Sequence, residues 1–267
     1  MRTKRIKKGA RLGQHFLTGQ WAARKLVEAA RIRPNDTVLE IGPGKGALTG
    51  ELLATGARIV AIEKDETLAE GLRSLFPSEI ENAQLTVIPG DVRDLDLKAT
   101  RLGTYVLAAN IPYYITGEII RQFLSADQQP RTMALLVQKE VANRILARDG
   151  KESILSISVK AYGKPEIAAK VARGNFNPPP SVDSAILVVN DISKDLFKGP
   201  DEKFFFEVVR AGFSSKRKFL LNNLAKKFGR DAVSSTLTTA GLPEKVRAEN
   251  VSLGQWTKIA KVLAPYG

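Results

Sequence analysis

Short apolar runs separated by helix-length amphipathic stretches fill residues 37–137, and this alternation restricts the chain to parallel strands joined by crossover helices. Thr37 to Ile41, Arg58 to Glu63, Leu85 to Pro89, Tyr105 to Asn110 and Met133 to Val137 read as strands. Between them, residues about Ala47 to Ala54, Glu66 to Phe76, Gly117 to Ser125 and Lys139 to Ala147 carry apolar side chains at helical spacing. Strands this uniformly apolar need cover on both faces, so the pattern predicts an α/β sheet layered by helices. A helix over about Trp21 to Arg31 precedes the first strand; a helix over Ser153 to Ala161 and strands at Ile167 to Ala172 and Ala185 to Asn190 follow the fifth.

Between the last two strands, Asn175-Phe176-Asn177-Pro178-Pro179-Pro180-Ser181 can be neither helix nor central strand, because three prolines remove donors and fix φ. It is expected to form a stiff loop at a sheet end. After the polar stretch Asp191 to Asp201 the segments Glu202 to Gly212, Lys216 to Phe228, Asp231 to Thr239 and Leu253 to Leu263 are helical in pattern. The expected division is therefore a basic arm at 1–20, an α/β domain at 21–190, a linker at 191–200 and a small all-α domain at 201–267.

The strand ends carry the polar chemistry. Val38-Leu39-Glu40-Ile41-Gly42-Pro43-Gly44-Lys45-Gly46 ends a strand in a glycine-rich turn, which admits positive φ and close approach of a ligand to the backbone. Glu63 closes the second strand about 20 positions after Gly42, where an acid can accept from both hydroxyls of a ribose. The third strand closes with Pro89-Gly90-Asp91, whose carboxylate can accept from an adenine amino group. Glu40 together with these two acids is the usual methyltransferase layout and suits a cationic sulfonium better than a pyrophosphate, although a nicotinamide dinucleotide remains a competitor on the glycines alone.

At the fourth strand end, Asn110-Ile111-Pro112-Tyr113 places an amide, a proline-stiffened turn and an aromatic ring together. An exocyclic adenine nitrogen is a weak nucleophile because its lone pair is delocalised into the ring. Beside an activated methyl donor it requires orientation and hydrogen-bond acceptance more than a strong base. The Asn110 side-chain oxygen and the Ile111 carbonyl suit that role, Pro112 holds the turn, and Tyr113 can stack on the base. A second ring on the base's other face is expected from Phe176.

The charge points to a polyanion: 41 Lys and Arg against 28 Asp and Glu leave +13. Basic residues cluster at Arg2, Lys4, Arg5, Lys7, Lys8 and Arg11, and again at Lys216, Arg217, Lys218, Lys226, Lys227 and Arg230. With no cysteine and one histidine, a metal centre or a Ser-His site is not expected. No apolar stretch approaches the roughly 18 residues of a membrane span, and no signal peptide is evident, so a cytoplasmic protein without membrane contact is expected.

These residues resemble the KsgA-type ribosomal RNA adenine N6,N6-dimethyltransferases, relatives of the erythromycin-resistance rRNA methylases and of mitochondrial transcription factor B. The likeness runs along nearly the whole chain, through Leu12-Gly13-Gln14-His15-Phe16-Leu17, Glu40-Ile41-Gly42-Pro43-Gly44, Asn110-Ile111-Pro112-Tyr113, Val137-Gln138-Lys139-Glu140-Val141, Phe176 to Ser184 and Phe213-Ser214-Ser215-Lys216-Arg217-Lys218. The family's frequent asparagine is His15 here, and Ile111 replaces a common leucine. The resemblance implies a Rossmann-like, S-adenosylmethionine-dependent methyltransferase sheet with a small C-terminal all-α domain. It implies that His15, Leu17, Glu40, Gly42, Gly44, Glu63, Asp91 and Asn110 form the cofactor site, with Asn110, Ile111, Pro112, Tyr113 and Phe176 around the target base. The implied substrate is a pair of adjacent adenosines in a hairpin near the 3′ end of 16S rRNA, dimethylated by a monomer during 30S biogenesis. Arg5, Lys7, Lys8, Arg11, Lys216, Arg217 and Lys218 would then engage RNA. A 23S rRNA methylase of the resistance type and a non-catalytic assembly factor are the alternatives.

Overall fold

The computed structural model describes residues 14–97, 100 and 102–266. They form two compact units, one comprising residues up to Ala142 together with Glu166–Ile192, the other Asn143–Pro165 and the residues from Ser193 onward.

The first unit is built on seven strands: β2 (Thr37–Ile41), β3 (Arg58–Glu63), β4 (Leu85–Pro89), β5 (Tyr105–Asn110), β6 (Thr132–Gln138), β7 (Lys164–Val171) and β9 (Ser184–Asn190). Their order is β4-β3-β2-β5-β6-β9-β7, parallel from β4 to β6, with β9 antiparallel to β6. The central strands are buried along almost their whole length, as their unbroken apolar sequences require, whereas β7 alternates exposed and half-buried positions at the edge. Helices α1 (Gln20–Ala30), α2 (Ala47–Leu53), α3 (Glu66–Leu75), α4 (Pro77–Glu81) and α5 (Thr116–Ser125) belong to this unit. Leu26 and Ala30 of α1, Leu48 and Leu52 of α2 and Leu72 of α3 pack with Val38, Ile59 and Val106 in one core cluster. Asp65 caps α3 by accepting from the Thr67 and Leu68 N–H groups.

From β2 the chain winds outward to β3 and β4; it then returns to β5 on the opposite side and continues to β6. β2 and β5 therefore flank the point where the winding reverses, and the loops at their carboxyl ends diverge to leave a crevice. The strand ends are level there: Ile41 pairs with both Ile62 and Ala109, Gly42 N–H donates to the Ile62 carbonyl and Gly90 N–H to the Glu63 carbonyl.

A second, two-stranded antiparallel ribbon was not anticipated. It pairs β1 (Phe16–Leu17) with β8 (Phe176–Asn177), so the segment before α1 is fastened to the proline-rich loop. That loop is neither helix nor central strand, as its prolines require, and its Asn177–Pro178 peptide is cis.

The second unit gathers α7 (Ile154–Tyr162), α8 (Glu202–Gly212), α9 (Leu220–Phe228), α10 (Arg230–Thr239) and α11 (Leu253–Leu263), while α6 (Lys139–Leu146) spans the boundary at Asn143 and the first two residues of β7 precede the one at Glu166. Two boundaries expected from sequence are displaced. Residues 143–165 belong with the C-terminal helices, and 193–200 is packed structure instead of a linker. The cause is an aromatic cluster: Tyr162 and Phe206 stack at 5.7 Å, Phe197 lies 5.3 Å from Tyr162, and the Tyr162 hydroxyl donates to Glu202 at 2.7 Å. Nor is 216–219 helical. Buried Asn223 donates through Nδ2 to the Gly212 and Ser215 carbonyls, which draws 213–219 into a loop and starts α9 at Leu220. Among the described residues no helix is long and apolar enough to cross a membrane.

Candidate active site

The crevice at the carboxyl ends of β2, β3, β4 and β5 is a cleft of about 270 Å³. Gln14, His15 and Phe16 form one wall, the glycine turn and Glu63 another, and the Asn110 to Ile115 segment a third. Of the residues the sequence nominated, His15, Gly42, Gly44, Glu63, Asp91, Asn110, Ile111, Pro112 and Tyr113 meet in this one place.

Glu63 organises the floor. Its Oε2 accepts from the Gly44 N–H at 3.0 Å and its Oε1 from the Asp65 N–H at 2.9 Å, so one buried carboxylate sets both the glycine turn and the start of α3. Two oxygens offer about four acceptor positions, which leaves capacity for a pair of ribose hydroxyls. Gly44 adopts a φ of 58°, and a Cβ there would lie 2.9 Å from the Phe16 ring, so the turn and the β1 wall can meet only at glycine. Lys45 Nζ stands 5.1 Å from the centroid of the same ring.

Asp91 lies in the cleft but is not a free acceptor. Arg93 grips both carboxylate oxygens, through Nε at 3.0 Å and a terminal nitrogen at 2.6 Å, and Lys64 adds an ion pair at 2.9 Å. The Arg93 hydrogen bond, followed by those of Lys64, holds the Asp91 carboxyl far below its usual range. Acceptance from an adenine amino group therefore has to share oxygens with these cations.

Asn110 is locked. Its Nδ2 donates to the His15 carbonyl at 2.9 Å, while its Oδ1 receives no donor among the described residues. The His15 ring is held in turn: Nδ1 lies 2.7 Å from the Pro178 carbonyl, which can only accept, so Nδ1 carries the proton. Tyr113 lies 5.6 Å from the His15 ring and shares a 2.6 Å hydrogen bond with Ser184 Oγ. Burial raises the Tyr113 phenol above its ordinary range, with the Ser184 hydrogen bond opposing.

Three nominated residues do not face the cleft. Phe176 is only 3% exposed and packs with Leu17, Val171 and Ile186, because the β1–β8 pairing sets it opposite Leu17 and turns both side chains inward. The expectation of Phe176 as a second stacking wall is thereby corrected, and Leu17 is likewise a core residue. Glu40 is wholly buried beneath the glycine turn, and neither carboxylate oxygen has a hydrogen-bond partner among the described residues. Burial pushes its carboxyl up to about 8; the Thr49 hydroxyl nearby tempers this without reaching hydrogen-bond geometry, and Glu63 adds to it.

In the second unit, Lys216, Arg217 and Lys218 are exposed on the loop shaped by Asn223. Arg5, Lys7, Lys8 and Arg11 lie outside the described residues. Sequence reasoning missed Phe16, Lys64 and Arg93 in the cleft and Asn223 under the basic loop. Lys64 and Arg93, one and two residues after nominated acids, left a signal that spacing could have caught.

The cleft fits S-adenosylmethionine. Ile41, Ile62, Val92 and Ile111 offer apolar cover for an adenine, Glu63 a buried acceptor for its ribose, and the Gly42 and Gly44 backbone room for the amino-acid arm. Residues 5–265 match the model of the family described as ribosomal RNA adenine dimethylase. Ribosomal RNA small subunit methyltransferase A of Dehalococcoides mccartyi strain CBDB1 is 40% identical over 264 residues, 96% of this chain and 88% of that protein. The protein of the same name from Fusobacterium nucleatum is 38% identical over 255 residues, 94% and 95% of the two chains. Among solved structures, a dimethyladenosine transferase from Plasmodium falciparum has a TM-score of 0.77 at 28% identity, covering 92% of this chain and 96% of its own. The 23S rRNA methyltransferase ErmE has a TM-score of 0.76 at 27% identity, covering 93% and 99%. The chain belongs to the ribosomal RNA adenine dimethylase family and is an S-adenosylmethionine-dependent rRNA methyltransferase.

Proposed function

We propose that this enzyme dimethylates N6 of two adjacent adenosines in a hairpin near the 3′ end of 16S rRNA, acting as a cytoplasmic monomer on the 30S subunit or its precursor. The observation that carries the reading is the Asn110 amide, pinned through Nδ2 to the His15 carbonyl with Oδ1 left to accept from the N6 hydrogens. S-adenosylmethionine, when bound, supplies a methyl group made electrophilic by its sulfonium. The chain's own part is orientation. Asn110 Oδ1 and the Ile111 carbonyl accept from the adenine amine, favouring a pyramidal nitrogen whose lone pair is available for attack, and Tyr113 supports one face of the ring. Glu63 would hold the ribose of the cofactor, and the glycine turn would give it close backbone approach. The N6 proton is lost to solvent once the nitrogen becomes cationic, so no buried base is needed. The +13 charge supports an rRNA substrate, with Lys216, Arg217 and Lys218 engaging phosphates.

Incubation with undermethylated 30S particles and labelled S-adenosylmethionine is expected to place label in N6,N6-dimethyladenosine of 16S rRNA. Absence of transfer under conditions where the cofactor binds would overturn the reading. The likeness to ErmE favours a 23S target as the second reading. Similarity of 38 to 40% to proteins named for the small subunit weighs against it. Equal presentation of naked 23S fragments and 30S particles separates the two.

A further inference from the structure

The sequence offered Phe176 as the ring opposite Tyr113, and the fold buries it. One aromatic side chain remains open to solvent among the described residues of the cleft. Tyr114 is 66% exposed, and no other large exposed hydrophobic residue lines the cleft. A phenol ring left this uncovered at the mouth of a binding site contributes little to folding.

Its geometry relative to Tyr113 is informative. Both residues lie in a single 3-10 turn, Tyr113–Ile115, directly after Pro112. At three residues per turn, consecutive side chains project about 120° apart, so the two rings cannot sandwich one base. Tyr113 is drawn inward by its hydrogen bond to Ser184, towards His15 and Asn110. Tyr114 faces outward in the same cleft that Arg93 lines, and the Arg93 guanidinium is held there by its two hydrogen bonds to Asp91. A strand of RNA that delivers one base to Asn110 has this exposed ring in reach of its next nucleotide, in a cleft that also carries the Arg93 guanidinium.

We propose that Tyr114 is a stacking platform for the purine adjacent to the one being methylated, and so holds a two-adenosine target in register. This rests on the dinucleotide target described above. Tyr114 acts as a positioning residue: it touches the neighbouring base, leaves the reacting nitrogen to Asn110, and requires its ring but not its hydroxyl.

The test uses the full chain and a hairpin RNA in which 2-aminopurine replaces either the target adenosine or its neighbour, together with methylation of 30S particles. The neighbour's fluorescence is expected to be quenched by the wild-type protein and by Tyr114→Phe but not by Tyr114→Ala, while the target's signal changes alike for all three. With particles, Tyr114→Ala is expected to raise KM about tenfold, with a smaller effect on kcat and incomplete modification of one adenosine of the pair. Tyr114→Phe restores both, and S-adenosylmethionine affinity by calorimetry stays unchanged. Equal quenching of the neighbour by wild type and Tyr114→Ala overturns the proposal, as does a Tyr114→Phe variant as impaired as Tyr114→Ala. A loss of cofactor affinity in Tyr114→Ala that matches its loss of RNA affinity would assign the ring to the cofactor's wall instead. If wild type quenches as expected yet methylates neither RNA, the functional reading fails while the platform stands.

Discussion

The Asn110 side chain and the His15 main chain, 95 residues apart, are joined by a 2.9 Å hydrogen bond from Nδ2 to the carbonyl. The bond fixes which end of the amide faces the cleft, so the acceptor end is set before any base arrives. Replacing Asn110 by Ala removes the acceptor and is expected to lower kcat on 30S particles by about a hundredfold, the scale of losing a positioning contact. Asn110→Asp keeps an acceptor but breaks the bond to His15, and should retain more activity than Ala. Single-turnover methylation at saturating cofactor checks both.

Gly44 and Phe16 give a steric test. Gly44→Ala places a methyl group 2.9 Å from the Phe16 ring at a positive φ and is expected to weaken S-adenosylmethionine binding at least tenfold. Adding Phe16→Leu relieves the ring clash and should recover part of that loss, though not the backbone strain. Calorimetric titration of both variants decides it.

Glu63 holds two backbone N–H groups and, in the function proposed above, would also hold the ligand. Glu63→Ala strands the Gly44 and Asp65 N–H groups, and should cost about 1 to 3 kcal/mol of stability in addition to cofactor affinity. Glu63→Gln keeps an acceptor oxygen for one of them and should cost less in stability than in affinity. Urea denaturation read beside calorimetry separates the two effects.

Glu40 predicts a pH dependence. Its carboxyl has an ordinary value of 4.5 when unfolded and about 8 when folded, so between these limits the native state binds the extra proton. Stability is therefore expected to fall as pH rises across that window, by at most about 1.4 kcal/mol for each pH unit, and to level off above it. Glu40→Gln should flatten the slope, gaining on wild type from pH 5 to pH 8 in urea titrations.

Lys216, Arg217 and Lys218 predict a salt dependence. Changing all three to Ala is expected to weaken RNA binding and to make the plot of log Kd against log salt shallower by about two to three. An unchanged slope would show that the loop does not meet phosphates.

The sheet was legible because its strands are apolar from end to end, and periodicity alone placed β2 to β6 within a residue of their observed limits. The acids and the amide at the strand ends were legible because a parallel sheet presents those ends together. What escaped has a common cause in pairing between distant segments. Nothing local in Phe16-Leu17 announces a strand, since its partner is Phe176-Asn177, and that pairing turned Phe176 from a candidate wall into core. Likewise Lys216 to Lys218 carry a helical composition that loses to Asn223 binding the Gly212 and Ser215 carbonyls.

The β1–β8 ribbon also bears on synthesis. His15 meets Pro178 across 163 residues, so the wall holding the Asn110 amide has no anchor until the proline loop has been made. The strands β2 to β6 are complete by Gln138, well before that point. A chain emerging from the ribosome can therefore assemble the five parallel strands while the Asn110 amide is still unlatched, and gains the ribbon and β9 only in the later part of its translation.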